Sequence, residues 1–313
     1  MKILVFGLGA LGTVYSCLLK EQGHYVAGVD REEVVNTVAE HGVQVSGIWG
    51  THAQGLDKVV SRLEDLDERD FDLLILTVKS YDTPEVARQM AVFISPASYV
   101  LLAQNGYGNY EAAAQYIDPA RLIVGRVIFG AETLGAGVSK VTVIADDVII
   151  GSPGNLIDTK ALERISQVCH DAGIPTRTSS EVMKYVWGKI IYNSALNPLG
   201  AILEVPYGRL ADDPHTRQLM DAVIDEIFAV LQACGQETLW AEAGTYRQVF
   251  YGQLIPPTAL HHASMLQDIQ RGRKTEIDAL NGAVVGLGRQ CGVATPVNEV
   301  IVAMIKAKES MRG

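Results

Sequence analysis

Between Lys184 and Glu204 the chain runs for 19 residues with a single charge, Lys189. Residues 187–198 read WGKIIYNSALNP, and a polar side chain recurs at every fourth position: Lys189, Asn193, Asn197. At helical spacing these three project from one face. That face carries a cation and two carboxamides among Ile190, Ile191, Leu196 and Leu199. Two uses are open to such a lysine. It can snorkel, burying its stem and keeping its ammonium in water. Held away from water, it loses part of its preference for the charged form and becomes a proton donor near neutral pH. The stretch alone does not choose between them.

A second group of residues points to a nucleotide. Residues 2–7, KILVFG, form a short apolar run, followed by Gly7-Leu8-Gly9-Ala10-Leu11-Gly12 and then a helical pattern that stops at Gly23. Another apolar run, YVAGVD, covers residues 25–30. Strand, GxGxxG, helix and strand in this order form the dinucleotide-binding context, in which the glycines admit the pyrophosphate and the helix N-terminus favours it. Asp30 lies 18 residues after Gly12, near the distance at which an acid bonds a ribose 2′-hydroxyl. Arg31, next to it, has the donor fork that suits a 2′-phosphate. These neighbours point to NAD and NADP respectively, and chemistry alone leaves the choice open.

These groups need elements to position them. A chain of 313 residues is expected to form two domains. With 48% hydrophobic and 20% charged residues it has the apolar material for sizeable cores. A net charge of −10 argues against nucleic acid or an anionic membrane surface as a partner, so an anionic substrate must be met by local cations. Cys17, Cys169, Cys234 and Cys291 are scattered and form no CxxC pair, which predicts free thiols in a reducing compartment and no zinc site. Met1 leads directly into a strand, so no signal peptide is expected. The apolar stretch around Lys189 is interrupted by polar residues and Pro198, a poor membrane span. The expectation is a soluble, cytoplasmic protein.

Further apolar runs at residues 72–78, 99–103, 122–128, 138–144 and 147–151 alternate with helical or loop material. They predict a mostly parallel Rossmann-type α/β sheet, with the later strands finishing it as antiparallel pairs. Functional loops then sit at the carboxyl ends of strands, which places Lys79-Ser80 and Gln104-Asn105-Gly106 beside the cofactor. From Ser179 onward the pattern is helical, for example over residues 216–234, 239–251, 258–271 and 276–290. The predicted division is 1–178 for the nucleotide domain and 179–313 for an all-α domain.

Several segments resemble the ketopantoate reductase (2-dehydropantoate 2-reductase) family: GLGALG at 7–12, QNG at 104–106, GKIIYNSALNPLGAI at 188–202, and SMLQD with TEID within 264–278. The resemblance spans essentially the whole chain. It implies a helical domain of the 6-phosphogluconate-dehydrogenase-like type and NADPH-dependent reduction of 2-dehydropantoate to (R)-pantoate, on the route to pantothenate and coenzyme A. It also implies roles. Lys189 falls on the proton-donating lysine, Asn193 and Asn197 on substrate-binding amides, and Asn105 on an asparagine touching both nicotinamide ribose and substrate. Lys79 matches a cofactor-contacting lysine, Ala131 in the loop GAET a backbone contact to the cofactor, and Arg31 a 2′-phosphate ligand. Ser264 resembles the residue holding the substrate carboxylate, and Glu276 the acid that helps organise cofactor and Lys189.

Three positions depart from the family pattern. His261 and Tyr207 stand where asparagines are common, and Asp30 where a small or neutral residue is. They keep an alternative in view: a D-2-hydroxy acid dehydrogenase for another branched or aromatic 2-oxo acid, with NAD as the alternative cofactor. His261-His262 on a helix would point in different directions with no acid or cysteine to complete a ligand set, so no metal is expected. The apolar length of the helical region is compatible with a homodimer.

Overall fold

A computed structural model describes residues 1–312. Two compact units emerge, Met1–Asn105 with Asn109–Val182, and Gly106–Gly108 with the chain from Met183 onward. No helix among the described residues is long and apolar enough to cross a membrane.

The first unit contains twelve strands: β1 (Lys2–Phe6), β2 (Tyr25–Val29), β3 (Val43–Gly47), β4 (His52–Gln54), β5 (Lys58–Val60), β6 (Leu73–Leu76), β7 (Tyr99–Leu102), β8 (Leu122–Arg126), β9 (Phe129–Gly135), β10 (Val138–Ile144), β11 (Val148–Gly151) and β12 (Thr176–Thr178). Its helices are α1 (Ala10–Glu21), α2 (Glu32–His41), α3 (Thr83–Met90), α4 (Asn109–Ala113) and α5 (Thr159–Asp171). Eight strands form one sheet in the order β12-β11-β8-β7-β6-β1-β2-β5. Pairing is parallel throughout except between β11 and β8. The central strands, such as Leu73–Leu76, are buried at every position, as a sheet covered on both faces requires.

The expectation for the late strands is half corrected. β11 does join the main sheet antiparallel to β8. β9 and β10 instead leave it and build a second sheet, ordered β4-β3-β10-β9. The reason lies in their alternation: Val43 and Val45 of β3, and Ser139 and Val141 of β10, are buried while Gln44 and Lys140 are exposed. Such strands need one covered face, and α1 supplies it. Residues 12–19 of α1 are all buried, and the Ser139 hydroxyl donates to the Ala10 carbonyl at 3.1 Å.

The second unit is helical: α6 (Val182–Leu203), α7 (Tyr207–Asp212), α8 (Pro214–Ala233), α9 (Ala243–Val249), α10 (Ser264–Gln270), α11 (Asn281–Cys291) and α12 (Pro296–Arg312). Asp213 caps α8, its carboxylate accepting the His215 and Thr216 amides at 2.9 and 3.0 Å, with Pro214 just inside the helix. Lys308 closes the other end of α6, donating to the Ala201 and Ile202 carbonyls at 2.7 and 3.1 Å.

Three helical expectations shrink. The one over 239–251 starts only at Ala243, and that over 276–290 begins with a single 3-10 turn before Asn281. The third, over 258–271, is interrupted, because residues 259–263 serve α7 instead. The carbonyls of His261 and Ala259 accept the Tyr207 and Gly208 amides at 3.1 and 2.8 Å, taking up orphan donors at that helix start. The free-thiol expectation is corrected too. Cys234, just past α8, is bonded to Cys291 at the end of α11, with Cα atoms 5.7 Å apart. Cys17 and Cys169 are free and buried.

Candidate active site

The glycine loop begins where β1 ends. Gly7 has φ +95°, and its amide donates to the Val29 carbonyl of β2 at 2.8 Å. Gly12 permits α1 to rest on that turn, since a Cβ there would stand 1.7 Å from the Gly7 carbonyl oxygen. Gly9 is the N-cap of α1, with no side chain capping the helix, and a Cβ built on it meets nothing within 4 Å. Leu8, Ala10 and Leu11 complete the loop. Uncapped first-turn amides beside an open glycine are the cradle that a dinucleotide pyrophosphate fits.

Asp30 and Arg31 separate clearly. The Asp30 carboxylate, 14% exposed, accepts the Leu8 amide at 2.5 Å through one oxygen and the Arg31 amide at 2.7 Å through the other. It braces the glycine loop. The Arg31 side chain is 79% exposed, its Nε 3.8 Å from Asp30.

Lys79 follows β6 and is half-buried at the start of the 3-10 turn Ser80–Asp82. Asn105 follows β7, and its carbonyl accepts the Asn109 side-chain amide at 2.9 Å. Asn109 in turn accepts the Thr83 hydroxyl at 2.8 Å, and Gln104 donates to Thr83 at 2.6 Å. Ala131 does not sit in a loop as expected. It lies within β9 opposite Val141, because GAET continues the strand that packs on β10.

The chain passes from Asn105 straight into the second unit. Gly106 adopts φ +87°, and a Cβ on it would come within 2.5 Å of the Ala279 carbonyl oxygen. That carbonyl accepts the Tyr107 amide at 2.8 Å, and the Tyr107 ring stacks on Trp187 of α6 with centroids 4.9 Å apart.

The α6 helix presents Lys189, Asn193 and Asn197 on one face, Lys189 and Asn193 half-buried and Asn197 6% exposed. Ser264 is the first residue of α10 and is exposed. Glu276, half-buried, precedes the 3-10 turn Ile277–Ala279. No cluster of His, Cys, Asp or Glu among the described residues could hold a metal.

Two supporting sets were not anticipated. Pro198 lies inside α6 and has no N–H, so the Ser194 carbonyl loses its i+4 donor. The Asn281 side chain donates to that carbonyl at 3.1 Å and to Asn298 Oδ1 at 2.9 Å. Asn298 donates to Glu226 at 2.7 Å, and Glu226 also accepts the first amides of α12. An in-helix proline flags the orphan carbonyl, but nothing local names its partner. The second set surrounds Asn197. The Tyr207 hydroxyl donates to its Oδ1, and Tyr207 packs between His261 and Tyr192 at centroid distances of 5.4 and 6.0 Å. Burial pushes both phenols up, Tyr192 to about 12.

Comparison with known proteins finds relatives over essentially the whole chain. Residues 3–155 match the model of the family described as ketopantoate reductase PanE/ApbA, and residues 181–309 match its C-terminal counterpart. The 2-dehydropantoate 2-reductase of Aquifex aeolicus is 46% identical over 99% of this chain and 97% of its own length. That of Pyrococcus abyssi is 31% identical, covering 100% and 99%. Among solved structures, a PanE/ApbA family ketopantoate reductase from Ralstonia eutropha superposes with TM-score 0.86 at 26% identity, covering 100% of this chain and 99% of that one. D-Mandelate dehydrogenase in complex with NADH and anilino(oxo)acetate does so with TM-score 0.90 at the same identity and coverage. The chain therefore belongs to the ketopantoate reductase family.

Proposed function

We propose that the chain reduces 2-dehydropantoate to (R)-pantoate with NADPH. The observation that carries this is the α6 face, where Lys189, the one charge between Lys184 and Glu204, shares a row with two carboxamides, in a chain with a 46% identical 2-dehydropantoate 2-reductase relative. The bound nicotinamide supplies the hydride. As negative charge grows on the ketone oxygen, the Lys189 ammonium gives it a proton. Glu276 orients Lys189, and Asn193 and Asn197 donate to substrate oxygens without adding charge. Ser264 receives the substrate carboxylate.

On the cofactor side, residues 7–12 cradle the pyrophosphate, and Lys79, Asn105 and Ala131 line the remainder. Arg31 takes the 2′-phosphate. Asp30 has both oxygens engaged by backbone amides, which supports NADP over NAD. Cytoplasmic action now rests on the biosynthetic substrate rather than on free thiols, since one pair is bonded. A homodimer remains the proposed assembly.

A second reading follows from the likeness to D-mandelate dehydrogenase and from the aromatic pair Tyr207 and His261: a bulkier 2-oxo acid, with NADH. One assay separates them. NADPH and NADH oxidation are followed with 2-dehydropantoate and with branched and aromatic 2-oxo acids. Preferred turnover of 2-dehydropantoate with NADPH is the expected result, and faster turnover of an aromatic acid with NADH overturns it. Lys189→Ala should lower kcat by roughly 10²–10⁴-fold, the span for loss of a general acid. An unchanged kcat removes Lys189 from the mechanism.

A further inference from the structure

We propose that Tyr207 is a positioning residue for the 2-oxo acid, acting through Asn197. The proposal rests on the reading above that Asn197 binds substrate. Tyr207 opens α7 and is 3% exposed, so its hydroxyl is cut off from water and needs a protein partner. It donates to Asn197 Oδ1. A carboxamide is an acceptor at one end and a donor at the other, and the two ends exchange by a half-turn of the side chain. Locking the acceptor end leaves Nδ2, with two N–H donors, as the end Asn197 offers a ligand. The ketone, hydroxyl and carboxylate oxygens of a 2-oxo acid all accept such donors. The flipped amide would set a carbonyl oxygen against them.

The lock is itself held rigidly. The Tyr207 amide donates to the His261 carbonyl at 3.1 Å, and the His261 ring packs at 59° to the phenol. On the other side Tyr192 meets it edge-on at 84°, its own hydroxyl 2.7 Å from Thr258 Oγ1. Thr258 lies within hydrogen-bonding distance of the Leu254 and Ile255 carbonyls, both at 3.1 Å. Ring packing alone would be served as well by phenylalanine. The buried hydroxyl is the added feature, and it donates to the carboxamide that this reading gives to the substrate.

Tyr207→Phe keeps the ring and removes the hydroxyl, so it isolates this function. The expected result is a KM for 2-dehydropantoate raised about tenfold, the worth of one hydrogen bond. The kcat and the KM for NADPH should stay within about twofold. Asn197→Ala should raise the same KM at least as far, and Tyr207→Phe added to it should change nothing further. A normal KM in Tyr207→Phe with a raised KM in Asn197→Ala overturns the proposal and leaves the substrate role of Asn197 standing. Additive effects in the double variant also overturn it. Normal KM values in both single variants overturn the substrate role of Asn197 and the proposal together. Thermal midpoints within a few degrees of the parent accompany the expected result. A KM for NADPH that rises in parallel marks a general loss of structure and counts against it.

Discussion

Asp30 and Arg31 are neighbours suited to opposite cofactors, and a hydrogen bond from Leu8 ties Asp30 to the glycine loop. With its carboxylate tied to the glycine loop, Asp30 supports the pyrophosphate turn, which any dinucleotide uses. Arg31 keeps an exposed side chain, and in the proposed function it takes the 2′-phosphate that distinguishes one cofactor from the other. Arg31→Ala should therefore raise the KM for NADPH by roughly 10–100-fold, as loss of a charge-assisted pair implies, while KM for NADH changes little. Asp30→Ala should weaken both. Equal losses for both cofactors in Arg31→Ala would return the ribose to Asp30. Sequence reasoning located both residues by their distance from Gly12. Their chemistry alone left the roles open, and only the resemblance favoured Arg31, because the bond that engages Asp30 joins positions 22 residues apart.

The element that matters most is α6, and its local features were readable. A four-residue spacing is a property of one helix, so the row Lys189, Asn193, Asn197 needs no tertiary information. The strength of that helix at Pro198 depends on distant residues. Asn281 supplies the donor that proline lacks, from 87 residues away, and is fully buried with Asn298. Asn281→Ala should cost roughly 1–3 kcal/mol, the penalty for a buried acceptor left without a partner. Pro198→Ala restores an N–H to the helix, so Asn281→Ala should cost less in that background. Denaturant midpoints of the four proteins measure this, and equal costs would refute the compensation. The lost helix over 259–263 has the same origin: those residues have helical texture, but their carbonyls are recruited by α7.

At the scale of the whole molecule, the alternation of βα units made the parallel sheet legible, and the change in texture after Pro175 announced the helices. The second sheet was hidden because β3 and β4 are short and acquire meaning only against α1. Charge placement adds a pH dependence. Burial pushes the Asp57 and Asp146 carboxyls up. In Asp57 the Lys20 ammonium and the Val26 amide, both at 2.7 Å, outweigh it. In Asp146 the Arg126 guanidinium at 2.8 Å, itself 4% exposed, does so. Both groups end below their ordinary values. Their contribution is present at neutral pH and is lost as pH falls from about 4 toward the lower folded values. Asp146→Asn should flatten the fall of Tm between about pH 4 and 3, and an identical slope would exclude Asp146 as a source.

The bond between Cys234 and Cys291 turns the intervening chain into a covalent ring of separation 57 that contains His261, Ser264 and Glu276. Lys189, Asn193, Asn197 and Tyr207 lie outside it. A single protease cut inside the ring cannot release a fragment. The nicked chain migrates as one species without reductant and as two with it, and the segments carrying Ser264 and Glu276 stay tethered on both sides of the cut.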